Sequence, residues 1–200
     1  IGYMSLAPLT GLFYYSLLQR RRKLFNFYAA FHLVLLLIVA GTAILQTKTG
    51  FIMNEPLAET SIPEKTRLRD LTAEISGWDQ VGTYLSELDM EEKFLFTHRW
   101  ELGGYITHGL RGEYPLICLG NLNRARGYAF WQDQDEFIGQ DGIFISSARY
   151  FADPLELYQD YFEDIEYLGE LPLIRQGIKV KKIYFYLARN FSGGFPVFGI

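Results

Sequence analysis

Three absences shape the reading of this 200-residue chain. Residues 1–50 contain no Asp or Glu, and the stretches 1–19 and 24–45 contain no Asp, Glu, Lys or Arg at all. A soluble helix of that length carries a charged face, so two uncharged runs of this kind exclude an ordinary amphipathic start. Cysteine occurs once, at Cys118. That excludes an intrachain disulfide framework, and in an oxidising compartment a lone thiol is best read as a small buried apolar residue. The chain also has no GxGxxG fingerprint, P-loop, HExxH, CxxC or GxSxG, so the common nucleotide, zinc-protease, redox and serine-hydrolase signatures are missing. Ser146-Ser147 and Gly193-Gly194 are isolated and read as turns.

What is present begins with Arg20-Arg21-Arg22-Lys23, a basic cluster between the two uncharged runs. About twenty apolar residues suffice for a helix to cross a bilayer. Gly2–Leu18 and Leu24–Leu45 therefore read as a transmembrane hairpin, with a kink expected near Pro8 and Tyr14 and Tyr15 near the interface. Short basic loops stay cytoplasmic, which places everything after Leu45 on the extracytoplasmic side. A signal peptide with Arg20–Lys23 as its basic region is the competing reading, but an uncharged span precedes that region and the anchor is preferred. His32 lies within the second span. It is either a functional intramembrane group or a neutral histidine bonded to the neighbouring helix, and the second is preferred. The run opens without Met, and the chain reads as the C-terminal part of something longer.

Whole-chain charge is −4, but residues 51–200 hold 14 of the 19 basic residues and all 23 acidic ones, giving 14 − 23 = −9. Such a charge argues against nucleic acid and against a purely electrostatic hold on anionic lipid. The expected organisation is a transmembrane hairpin over 1–45, a polar connector over 46–67 with Gly50, Pro56 and Pro63, and a soluble domain from 68 to 200. Val81, Tyr84, Leu85 and Leu88 recur at helical spacing. Phe94–Thr97, Pro115–Leu119 and Gly142–Ser146 read as strands. Arg99–Leu110 reads as a helix weakened by Gly103 and Gly104. Asp153-Pro154 starts a helix whose apolar face runs through Leu155, Tyr158, Tyr161 and Phe162. Ile165–Ile174 and Val180–Arg189 form an antiparallel hairpin around Gln176-Gly177. The fold class is α/β: a mixed sheet, parallel in its centre and antiparallel at one edge.

Two clusters could carry chemistry. Thr97-His98-Arg99-Trp100-Glu101 sits where a strand end runs into a helix, the usual ligand position in open α/β sheets. Arg99 could grip a phosphate bidentately, Trp100 could stack on a sugar and Glu101 could accept hydroxyl bonds. Equally, Arg99 and Glu101 could pair while Trp100 packs in the core. In the stretch from Asn121 to Trp131, Arg124, Arg126, Tyr128 and Trp131 interleave base and ring, as in a groove for a phosphorylated or glycosylated ligand, or as in a surface loop tucked down by Tyr128 and Trp131. His98, His108 and Glu101 lack a metal-site spacing, so no metal is expected. The carboxylates of 133–136 and 156–166 read as solvated faces.

Gly77-Trp78-Asp79, Phe94–Leu102 with its Arg99-Trp-Glu-Leu segment, Arg126–Trp131, Asp141–Ile145 and Ile183–Phe191 together resemble the C-terminal region of bacterial glycosyltransferase family 39, the dolichyl-phosphate-mannose–protein mannosyltransferase type. Glu101 stands where Gln is commoner in that family. The resemblance implies a multi-pass enzyme of the bacterial inner membrane that moves a sugar from a polyprenyl-phosphate carrier to a lipid, glycan or protein acceptor outside the cytoplasm. The family's catalytic acids lie in an early outer loop, so no catalytic residue, cofactor or metal carries over to this chain. A membrane-anchored binding or assembly module without catalysis is the alternative.

Overall fold

The computed structural model describes residues 6–57, 70–88, 90 and 93–196. The expected first residues of the hairpin (Gly2 to Ser5), most of the connector's second half including Pro63, and the expected domain start at Leu68 lie outside the described residues. The chain divides into two units, 1–45 and 46–200.

In the first unit, α1 (Leu6–Arg20) and α2 (Arg22–Thr49) are separated by Arg21 alone. Arg21 donates its amide to Leu17 O, and its carbonyl accepts from Leu24 and Phe25. The α2 helix continues into the second unit. It is long and apolar enough to cross a membrane by length and composition. Tyr14 on α1 meets Phe25 and His32 on α2 with edge-on rings. His32 Nδ1 lies 2.7 Å from Tyr28 O and 2.9 Å from the Tyr14 hydroxyl. A carbonyl can only accept, so the Tyr28 contact is a hydrogen bond in the tautomer that carries its proton on Nδ1. One ring nitrogen thus lies within hydrogen-bond distance of a group in its own helix and of one on the neighbouring helix: protonated it donates to Tyr28 O, unprotonated it accepts from the Tyr14 hydroxyl.

The second unit is built on a five-stranded sheet ordered β2-β1-β3-β5-β4, comprising β1 (Lys93–Thr97), β2 (Leu116–Cys118), β3 (Asp141–Ser147), β4 (Asp164–Arg175) and β5 (Ile178–Arg189). The strands β2, β1 and β3 are parallel, whereas β5 runs antiparallel to both β3 and β4. The mixed sheet read from the sequence is therefore present, with its antiparallel pair at one edge. Gln176 and Gly177 turn the β4–β5 hairpin with φ of 50° and 78°, the two left-handed positions that a two-residue hairpin turn needs.

Strand alternation gives each face its own core. Leu95, Ile143, Ile145, Ile183 and Phe185 point to one side. There they meet Val81 and Leu85 of α4 (Asp79–Ser86) and Leu102 and Ile106 of α5 (Trp100–Gly109). Phe94, Phe96, Phe144, Tyr184 and Tyr186 point to the other side, against Tyr158, Phe162 and Phe191. The helical spacing of Val81, Tyr84 and Leu85 is realised in α4, while Leu88 lies just past its end. The Gly103-Gly104 pair does not break α5, because Gly103 admits the Tyr128 ring: a Cβ there would stand 2.9 Å from it.

Two expectations need correction. The helix begun by Asp153, whose carboxylate accepts from Leu155 N at 3.0 Å, is only α8 (Pro154–Tyr158). Tyr161 and Phe162 lie beyond it, because Glu163 N already bonds to Arg189 O and β4 begins at Asp164. Ser146-Ser147 is not a turn. Both residues are buried on β3, paired with Tyr184 and Ile183.

Candidate functional site

The chain passes from β1 through α5 to β2, then returns past β1 to β3. The carboxyl ends of β1 and β3 therefore flank the point where strand order reverses, the position at which open α/β sheets bind ligands. After β1 come His98, Arg99, Trp100 and Glu101. After β3 come Ala148, Arg149 and Tyr150 in a 3₁₀ turn.

These two strand ends converge on aromatic rings. The Arg99 guanidinium lies 4.8 Å from the centre of the Tyr150 ring, and that of Arg149 lies 5.3 Å from it. Arg126 stands 4.9 Å over Trp100. Arg99 also donates from Nε and Nη2 to the two Glu101 oxygens at 3.2 and 3.1 Å. The hydrogen bonds to Glu101 hold the Arg99 proton more tightly than usual. Burial alone would raise the Glu101 pKa, but the bonds from Arg99 and the charges of Arg99 and Arg126 outweigh it and keep the carboxyl below its ordinary range. Glu101 is thus an ionised, engaged carboxylate, unsuited to proton transfer at neutral pH. Three arginines against one carboxylate leave this edge with a formal charge of 3 − 1 = +2, on a portion of the chain whose total is −9. Only two of the five Arg99 N–H groups are spent on Glu101. The arrangement suits holding an anion with an attached ring or chain.

The expected site residues divide accordingly. Arg99, Trp100, Glu101 and Arg126 come together. Trp100 is 37% exposed, so it is not a core residue. Arg124 belongs elsewhere, to a cleft of about 240 Å³ lined by His98, Gly120, Asn121, Leu157 and Phe195. Tyr128 packs inward beside Cys118 and Ala125. Trp131 is 82% exposed and is not tucked down, so the stretch 121–131 forms no groove around it. Cys118 is fully buried, and burial pushes its thiol up to about 12. Arg149 and Tyr150 escaped the sequence reading, although they follow an apolar strand just as Arg99 follows β1.

A sealed polar cluster adjoins this edge. Glu74, on α3 (Thr72–Ile75), accepts from Ser147 Oγ at 2.8 Å through Oε1, while its carbonyl accepts from Trp78 Nε1 and Lys181 Nζ. The Lys181 ammonium also lies 4.3 Å from the centre of the Trp78 ring. Burial lowers the Lys181 pKa to about 7 against the opposing pull of Glu74. The members of the cluster, Glu74, Trp78, Ser147 and Lys181, come from three separate stretches of the chain, so no local spacing announces it.

A second buried group lies within the unit 46–200. Arg175 donates to Asp70 Oδ2 at 2.5 Å, to Asn54 Oδ1, to Met53 O and to Thr72 Oγ1. Gln46 bonds the same Asp70 and Met53. Burial would raise the Asp70 pKa, but the bonds from Thr72 and Arg175 outweigh it and hold the carboxyl low.

Compared with known proteins, the chain matches no family model, no curated protein and no solved structure.

Proposed function

We propose that the chain is the C-terminal part of a multi-pass glycosyltransferase of the bacterial inner membrane, resembling family 39, which moves a sugar from a polyprenyl-phosphate carrier to an extracytoplasmic acceptor. In this reading α1 and α2 are its last membrane pair, and the α/β domain lies on the outer side. The observation that carries the domain's share is the arginine–aromatic edge: Arg99 and Arg149 on Tyr150, and Arg126 on Trp100. Cations set on rings at the switch point of the sheet suit a sugar linked to phosphate, with guanidinium N–H groups on the phosphate and Trp100 against the sugar. The role is to hold the donor rather than to transform it, since Glu101 is committed to Arg99.

The test is donor binding by the full-length protein in lipid nanodiscs. R99A/R126A is expected to weaken polyprenyl-phosphate-sugar binding by roughly tenfold or more, the loss of one to two charge-assisted hydrogen bonds. Unchanged affinity would remove the site. Residues 1–200 alone are expected to transfer no sugar, and transfer by that piece would overturn the assignment of catalysis to residues outside it. If the full-length protein transfers no polyprenyl-linked sugar while donor binding persists, the anchored binding module is the correct reading instead.

A further inference from the structure

The stretch after β2 forms two single-turn helices, α6 (Leu122–Ala125) and α7 (Tyr128–Trp131). Their residues sort sharply by direction. Ala125, Tyr128 and Ala129 face the domain beside Cys118. Leu122, Phe130 and Trp131 face outward, with 42%, 69% and 82% of their surface exposed. The outward group is held in place at both ends. Asn121 caps α6 through the Arg124 amide, and the Gln132 side chain bonds both the amide and the carbonyl of Cys118, at 2.6 and 2.8 Å. The Trp131 ring lies over Gly127, where a Cβ would stand 2.8 Å from it. Exposed large rings on a pinned support are a prepared contact surface.

Charge says what the surface meets. Residues 121–131 carry Arg124 and Arg126 and no Asp or Glu, although residues 51–200 as a whole are strongly acidic. Trp and Phe beside Arg match the water–hydrocarbon boundary of a bilayer, where amphipathic rings settle at headgroup level and guanidinium groups meet lipid phosphate. The same chain carries a helix apolar enough to enter a bilayer. We infer that the α6–α7 platform is an interfacial docking surface that inserts Phe130 and Trp131 into an anionic lipid surface, with the exposed Arg124 on the lipid phosphates. This inference needs only a bilayer and is independent of sugar transfer.

The test uses the full chain in nanodiscs containing phosphatidylglycerol, with bromine on the upper acyl chain as a short-range quencher of tryptophan. Trp78 and Trp100 give a background common to the wild type and W131F. The wild type is expected to show a roughly twofold larger fractional quenching than W131F, because the Trp131 ring alone reaches the interface. R124Q is expected to lower that quenching when the lipid is anionic and to leave it unchanged in phosphatidylcholine alone. Circular dichroism checks that each variant is folded. Equal quenching of the wild type and W131F overturns the inference. So does a Trp131 that stays fully open to aqueous acrylamide in the nanodisc, which would mark the surface as a protein-docking one.

Discussion

Two of the arginine–carboxylate pairs in the domain are of opposite character. Arg175 and Asp70 have side chains only 3% and 8% exposed, whereas Arg99 and Glu101 have 32% and 18%. Arg175 spends its N–H groups on Asp70, Asn54, Met53 and Thr72. Arg99 spends two on Glu101 and lays its face on Tyr150. The sealed pair joins segments about a hundred residues apart and has no face left for a ligand. The open pair joins near neighbours and keeps donors at a strand end. The same chemistry serves architecture in one place and recognition in the other, and burial with partner count separates them.

The contrast is broken most strongly by Arg175→Ala. That change leaves Asp70 buried without its cation and is expected to cost about 3–5 kcal/mol, read as a fall in the denaturation midpoint. Lys181→Met combined with Glu74→Gln is expected to act in the opposite direction. The Lys181 pKa is lowered to about 7 from an ordinary 10.5, so between those values the unfolded chain binds a proton that the folded chain does not. Wild-type stability therefore gains from this group as pH rises from 7 to 10.5, and the cost is full below 7. Lys181→Met alone would leave the buried Glu74 carboxylate without its opposing cation, so both charges are replaced. The double variant is expected to be more stable than the wild type by about 1–3 kcal/mol at pH 6, with the advantage shrinking towards pH 10. Stability–pH curves of both proteins decide it, and parallel curves would discard the buried-cation account. Asp70 supplies an acid-side counterpart. Its folded pKa is depressed, so its contribution is present above the ordinary carboxylate value of about 3.9 and is lost as pH falls through the folded one. Asp70→Asn should flatten that acid limb in the same curves. Arg99→Ala is the smallest change, within about 1 kcal/mol, because its pair is partly exposed. A loss comparable to that of Arg175→Ala would show that both pairs are architectural.

The strands were legible because apolar runs such as Phe94–Phe96 and Ile143–Ile145 are buried on both faces of the sheet. The β4–β5 hairpin was legible because Gln176-Gly177 carries the turn chemistry. The length of α8 was not, since what stops it is the start of β4 beside Arg189, a pairing set by distant residues. At the site, Arg99 and Glu101 could be found because strand-to-helix junctions mark themselves. Arg149 and Tyr150 could have been found by the same rule. The links of Glu74 with Ser147 and Lys181, and of Asp70 with Arg175, could not, because their partners are brought together only by the sheet. Trp131 misled because an aromatic residue in a polar loop usually turns inward, whereas here Ala125, Tyr128 and Ala129 already fill that side.

The Gln132 side chain has a consequence beyond fixing the α6–α7 platform. By bonding both backbone groups of Cys118 it takes the place of a neighbouring strand along the outer side of β2. A bare sheet margin invites pairing with another copy and so seeds aggregation. The opposite margin, β4, is guarded differently, by Glu166, Glu170, Pro172 and the irregularity between Tyr167 and Gly169. Gln132 is therefore a solubility device as well as a structural one. Gln132→Ala is expected to leave the fold in place while raising the light scattering of concentrated protein over time.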